Sequence, residues 1–292
     1  MCIRDSPYFH RTALHSMQSV TKTVSAIIVG IAITRGDFKA DLDTPLLKYF
    51  DVTKVNNVDE RKRRITLRHV LTMSTGLDWK EDGVPYDDPK NDCNVMEATE
   101  DWVQYAIDKP MAQEPGKIFN YNSGVAELLA YVFQKETGQD IERYAEKYLF
   151  LPLGMDHFWK RTPLGWPDTE GGLFLSTTDL AKLGYLYLHE GMWDGKQIVS
   201  KDWVKQSVAP FIDDVEKGWK YGFLWFLFQT EGTQDLDWAA LGFGGQRLLV
   251  FPQEELIVVF TGWRALNDSV GTLDLAGRIL PAVSSQSCNV PR

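Results

Sequence analysis

A chain of 292 residues with 44% apolar side chains, among them ten Trp, fifteen Phe and eleven Tyr, has ample material for a packed core, which excludes a disordered or fibrous protein. A net charge of −9 and a pI near 5.1 argue against nucleic acid or another polyanion as a partner, and the short basic cluster Arg61–Arg64 reads as a solvated face. The three cysteines, Cys2, Cys93 and Cys288, stand far apart, with no C-x-x-C pair and no histidine at ligand spacing. They indicate neither a metal centre nor a disulfide scaffold, and they do not reveal the compartment.

Taken in order, the chain opens on Met-Cys-Ile-Arg-Asp-Ser, which reads as an adapter-derived leader rather than a natural start. The natural N-terminus is therefore expected to be missing. If a signal peptide was lost with it the protein is periplasmic or secreted, and otherwise cytoplasmic. Ser19-Val20-Thr21-Lys22 then leads into the apolar run Val24–Ile33, too short for a membrane span and too apolar for a surface helix. This predicts a buried central helix with Ser19 and Lys22 on one face of its first turn. Serine becomes a nucleophile at neutral pH only when a base takes its proton, and an amine can do so only when neutral. Burial and the positive end of the helix dipole both favour that neutral form, so Lys22 is expected to be an uncharged amine. The backbone N–H of Ser19 would face a developing oxyanion.

Further along, residues 41–50 predict a short helix, 64–73 an amphipathic helix closed by Ser74-Thr75-Gly76, and 80–94 a long loop able to lie over a cleft. Helices are expected at 101–108, 123–137 and 140–149, with Tyr121-Asn122-Ser123 on a tight turn after Pro115-Gly116. On residue type alone, Tyr121 is equally a packed core aromatic and Ser123 an ordinary helix cap. Ser176 opens a helix to His189, and another covers 200–208. From 221 to 261 short aromatic and β-branched segments alternate with turns, which predicts an antiparallel meander, and a closing helix is expected at about 267–281.

The set Ser19-x-x-Lys22, Tyr121-Asn122-Ser123 and Gly242-Phe243-Gly244-Gly245-Gln246, the last placed on an inner strand, resembles the three motifs of the penicillin-recognising serine hydrolases. The likeness is closest to the class C β-lactamase-like branch, which includes esterases, D-aminopeptidases and nylon-oligomer hydrolases, and it runs from about residue 16 to 281. Supporting stretches in the same order are Leu67–Leu77, Glu114-Pro115-Gly116, Leu151–Met155 and Gly171-Gly172-Leu173 with Asp179-Leu180-Ala181.

The resemblance implies a β-lactamase/transpeptidase-like α/β (α+β) fold in which helices flank an antiparallel sheet. It implies one domain over 1–292, with a helical part at about 46–175 and sheet-associated parts at about 16–45 and 176–292. It also implies two or so strands before the nucleophile helix. The chain has little room for them, so these N-terminal strands are expected to be missing and the sheet to lack one edge.

Carried over residue by residue, the resemblance makes Ser19 the acyl-forming nucleophile, Lys22 its proton acceptor and Tyr121 a second acid/base group. Asn122, Ser123, Phe243, Gly244, Gly245 and Gln246 become substrate-binding or oxyanion residues. No metal, cofactor, nucleic acid or membrane span is implied, only a small ester or amide substrate; the oligomeric state stays open. Two departures count against antibiotic hydrolysis. The second motif is usually Tyr-Ser-Asn, and the third usually opens with a Lys or His that would help hold a lactam's carboxylate. Phe243, Trp79 and Trp219 offer apolar wall in its place, Phe243 being equally readable as core packing, and only one of Gln246 and Arg247 can look into the cleft. A serine esterase or amidase is the leading reading. A true class C β-lactamase or D-alanyl peptidase, and a catalytically idle binding or sensor protein of the same fold, remain as alternatives. The absence of G-x-S-x-G disfavours an α/β-hydrolase.

Overall fold

The computed structural model describes residues 10–262, except 214, 216, 217, 231, 232 and 234, together with residue 279. The helix expected at 267–281 lies outside the described residues but for Ile279.

The molecule is built around α1 (Val20–Arg35), which is buried on all sides from Val20 to Ala32. A helix with no polar face can be satisfied only by neighbours all round, and this one packs against helices and sheet alike. It ends at Gly36, whose left-handed conformation lets its N–H reach the carbonyls of Ala32 and Ile33. Before it, β1 (His15–Ser16) pairs antiparallel with a later strand.

The helical part follows. The expected helix at 41–50 is a single 3₁₀ turn at Leu46–Tyr49. That at 64–73 shrinks to α2 (Leu67–Leu71), because the chain before it makes a separate 3₁₀ turn and Met73 takes a positive φ that ends it. Within the predicted loop, α3 (Asp92–Glu97) forms on an Asn91 cap. Next come α4 (Trp102–Asp108), α5 (Ser123–Thr137), α6 (Ile141–Ala145), a π turn over Glu146–Phe150 and α7 (Leu151–Leu153). β2 (His157–Trp159) and β3 (Leu173–Leu175) join β1 in a three-stranded sheet of order β1-β3-β2.

α8 (Thr177–Leu188) then leads through the hairpin β4 (Met192–Trp193) and β5 (Lys196–Gln197) to α9 (Lys201–Ser207). The chain closes on the predicted meander: β6 (Lys220–Tyr221), β7 (Phe226–Phe228), β8 (Asp237–Gly242), β9 (Gln246–Phe251) and β10 (Leu256–Phe260). These pair antiparallel in the order β10-β9-β8-β7-β6. One face lies on α1 and α8, and the other buries a smaller cluster around Ala239, Leu249, Phe251 and Val258. Among the described residues β10 is an edge strand, and β1 belongs to the other sheet. In this α/β arrangement helices flank an antiparallel sheet, as the resemblance implies.

Candidate active site

Ser19 is the cap residue of α1, and Gln18 before it holds a positive φ of 49°. Met17 anchors this approach by donating its N–H to the Leu173 carbonyl of β3 at 2.8 Å. One turn into α1, the Lys22 Nζ donates to Ser19 Oγ at 3.0 Å, to the Glu170 carbonyl at 2.7 Å and to Glu170 Oε2 at 3.4 Å. These contacts suit an ammonium donating three times, and equally an amine that donates twice to Glu170 and accepts from the Ser19 hydroxyl.

The surroundings of Lys22 correct the expectation of a neutral amine. Burial is the largest single influence and pushes its pKa down, but Tyr121, Glu170, Glu81 and Tyr86 together raise it well above the ordinary lysine value. The groups that do this come from parts of the chain distant in sequence, where a helix-based argument could not find them.

Tyr121 sits on the other side of Lys22, its ring 5.2 Å from Nζ and its phenol within hydrogen-bonding reach of Ser19 and Lys22. Burial pushes this phenol up to about 12, against a downward pull from Lys22. The two residues after it do not face the cavity. Asn122 caps α5 by accepting from the Val125 N–H at 3.0 Å. Ser123 is buried and gives its N–H and its hydroxyl to Glu81 at 2.8 and 2.7 Å. The helix cap is thus Asn122, and Ser123 is a tie to Glu81.

The same Glu81 carboxylate accepts from Trp79 Nε1 at 2.7 Å and from the Tyr86 hydroxyl at 3.0 Å. It pins the 80–91 loop, which lies over the cavity as expected, to the turn that carries Tyr121.

The third motif is a hairpin turn, not the middle of a strand. Gly242 pairs with Gln246, and Gly244 and Gly245 hold φ of 77° and 94°, which glycine adopts without strain. Gly242 is required for another reason: a Cβ there would stand 2.4 Å from the Met17 carbonyl, so only glycine lets the hairpin base lie against the approach to Ser19. Gln246 is buried and bonded to the Phe243 and Gly262 backbone, whereas Arg247 lines the cavity, its Nη1 donating to the Gly242 and Gln246 carbonyls at 2.7 Å each. Phe243 is 61% exposed at the hairpin tip, with its ring 5.3 Å from that of Tyr86, so it is not core packing.

Between loop and hairpin lies a cavity of about 490 Å³ with Ser19 and Tyr121 in its wall. Phe119, Phe226, Leu241 and Phe243 make it apolar, and Asp82 and Arg247 bring charge of both signs. Trp79 and Trp219, expected as wall, are elsewhere: Trp79 is buried against Glu81, and Trp219 stacks on Phe228.

The family model described as Beta-lactamase matches residues 9–276. The chain belongs to the beta-lactamase family. It is 27% identical over 274 residues to an uncharacterized protein of Alkalihalophilus pseudofirmus, a match covering 88% of this chain and 74% of that one. It is 23% identical to the 6-aminohexanoate-dimer hydrolase of Paenarthrobacter ureafaciens over 84% of this chain and 65% of the relative's length. Among solved structures, a Bacillus anthracis protein described as a 6-aminohexanoate-dimer hydrolase superposes with a TM-score of 0.80 at 17% identity, covering 99% of this chain and 77% of the other. Two of these three proteins carry hydrolase in their names, and the superposition shows that this beta-lactamase family member has the β-lactamase/transpeptidase-like fold.

Below Lys22, away from the cavity, lies an acidic cluster. The Glu170 N–H donates to Glu127 Oε1 at 2.7 Å, and the Gly171 N–H to Asp168 Oδ1 at 2.8 Å. Burial raises Glu127 well above the carboxylate range and Asp168 to about 7. Among the described residues, the side chains able to hold a metal ion are Cys93, Glu97 and Glu170, whose ligand atoms lie within 4.8 Å of one another. The fit is poor, since burial keeps the Cys93 thiol protonated and Lys22 already supplies the positive charge beside Glu170. Glu81, Tyr86 and Glu170 went unnoticed in the sequence. The available signals were faint: a lone Tyr in an acidic loop and a Glu directly before the Gly171-Gly172 pair.

Proposed function

We propose that this beta-lactamase family member is a serine hydrolase that forms an acyl-enzyme on Ser19 and cleaves a carboxylic ester or amide. The observation that carries the reading is the 3.0 Å contact between Lys22 Nζ and Ser19 Oγ, with Tyr121 alongside and Ser19 and Tyr121 in the wall of one cavity. In the resting site Lys22 is an ammonium and Tyr121 a phenol, so the pair must lose one proton before it can act as a base, and the pKa of that loss belongs to both groups. Ser19 Oγ then bonds to the substrate carbonyl carbon while its proton passes to the pair. The oxyanion takes hydrogen bonds from the Ser19 N–H and from the adjoining 242–243 backbone. Tyr121 returns the proton to the departing alcohol or amine, and a water molecule releases the acyl group by the reverse path.

The wall of Phe119, Phe226, Leu241 and Phe243 favours apolar acyl chains. The hydrolase of Paenarthrobacter ureafaciens, named for a dimer of an amino acid, supports including amides. Ser123 spends its N–H and hydroxyl on Glu81 and Asn122 its Oδ1 on the first turn of α5, which counts against their binding a lactam side chain in the usual way. The test is a panel of p-nitrophenyl acetate and butyrate beside benzylpenicillin and nitrocefin. The expected result is kcat/KM for the esters at least about 100-fold above that for the lactams, because Arg247 in the cavity wall already gives its Nη1 to the Gly242 and Gln246 carbonyls, for which a lactam carboxylate would have to compete. Lactam hydrolysis equal to or faster than ester hydrolysis would return the protein to antibiotic turnover.

A further inference from the structure

Glu170 is placed to act on the site without touching substrate. It is not in the cavity wall, yet its carbonyl and carboxylate take two of the three Lys22 N–H bonds, and its side chain is 12% exposed. Its backbone N–H is fixed by Glu127, which reaches across from α5. The carboxyl of Glu97, a residue exposed at the end of α3, comes within 4.8 Å of the Glu170 carboxyl, beside Cys93. A chain of contacts therefore runs from Ser19 through Lys22 and Glu170 to Glu97 at the surface.

We propose that Glu170 is a positioning residue for the Lys22–Tyr121 pair and that Glu97 reaches the pair through it, so that two carboxyls outside the substrate cavity set when the site can accept the Ser19 proton. The inference rests on the acyl-enzyme reading given above. A negative charge beside Lys22 stabilises the doubly protonated pair, and its removal makes the first proton easier to lose. Glu81 and Tyr86 also face Lys22 from the loop, and they stay in place when Glu170 is altered. Around the two carboxyls stand Glu127, Asp168 and Lys160, of which only Lys160 favours ionisation. Desolvation, then Glu170, raises Glu97 to about 8, so in neutral solution it is a proton donor to Glu170 and at alkaline pH a second negative charge. No bond other than O–H and N–H is made or broken: protons pass among Ser19, Lys22, Tyr121 and solvent.

The experiment follows the burst of p-nitrophenol from p-nitrophenyl acetate against pH in the wild type and in Ser19→Ala, Glu170→Gln, Glu170→Asp and Glu97→Gln. A wild-type burst that Ser19→Ala lacks establishes the acyl-enzyme reading. Given that, Glu170→Gln is expected to move the midpoint of the rising limb down by about one pH unit or more, the effect of one close charge, and Glu170→Asp to move it less. Glu97→Gln is expected to match the wild type in neutral solution and to acylate faster at alkaline pH. If Glu170→Gln does not fold, Glu97→Gln at the surface and the charge-preserving Glu170→Asp decide. A Ser19-dependent burst whose limb coincides in all folded variants overturns the proposal and leaves the acyl-enzyme reading standing. A wild type without such a burst overturns both.

Discussion

At the scale of single residues, charge placement was the least legible property. Ser19, Lys22 and Tyr121 are nameable from spacing and resemblance, because i and i+3 on a helix must meet. The protonation of Lys22 is not, since it is set by burial against Tyr121, Glu170, Glu81 and Tyr86, all from segments distant in sequence. The same acidic cluster carries a stability prediction. Glu127, Asp168 and Glu97 hold protons in the folded protein at pH values where the unfolded chain, with carboxyls near pKa 4, has lost them. The native state then binds more protons, so stability is full below pH of about 4 and falls as pH rises to about 8. Glu97, the most exposed of the three, contributes least. The depressed carboxyls Asp37, Asp43 and Asp140 act oppositely, but their gain is complete by pH of about 5. His15, His69 and His157, which burial holds below the ordinary histidine value, also act oppositely, and their gain is complete by pH of about 7. The melting temperature should therefore decline from pH of about 7 to about 8, and Glu127→Gln should flatten the decline. A melting temperature that is level or rises over that interval would contradict the assignment.

At the scale of elements, long periodic segments were legible and short ones were not. α1, α5, α8 and the meander stand close to where hydrophobic pattern and caps put them. Strands of two or three residues such as β1, β2 and β3 carry too little alternation to be seen, although they hold the approach to Ser19. The third motif illustrates a further limit: Gly242–Gln246 reads equally as strand or turn until pairing fixes it as a hairpin. The packing of α1 is itself testable. A Cβ on Gly30 would stand 2.2 Å from the Trp203 ring of α9, so Gly30→Ala must displace a buried indole. Urea denaturation should show a loss of about 1–3 kcal/mol, the usual cost of overpacking. Ester turnover in dilute urea should be retained, because Gly30 lies eleven residues from Ser19 along a 1.5 Å-per-residue helix. A variant as stable as the wild type would mean that α1 and α9 are not packed this closely.

At the scale of the whole molecule, the order of motifs along the chain was the strongest signal in the sequence, and it gave the family before any coordinate. Resemblance located the turn bearing Tyr121 and the hairpin, but it could not say which side chains there face substrate. That depended on Glu81 claiming Ser123, on α5 claiming Asn122, and on Gly262 claiming Gln246, all contacts between distant segments. What remains at the cavity is Ser19 and Tyr121 beside a partly apolar wall that also carries Asp82 and Arg247, with Lys22 and its neighbours behind them. Acylation of Ser19 is tested by treating the protein with a fluorophosphonate, weighing it intact and mapping the modified peptide, with Ser19→Ala in parallel. One adduct is expected, on Ser19 and absent from Ser19→Ala; an adduct on Ser123 or Ser176, or labelling that survives Ser19→Ala, would show that Ser19 is not the nucleophile.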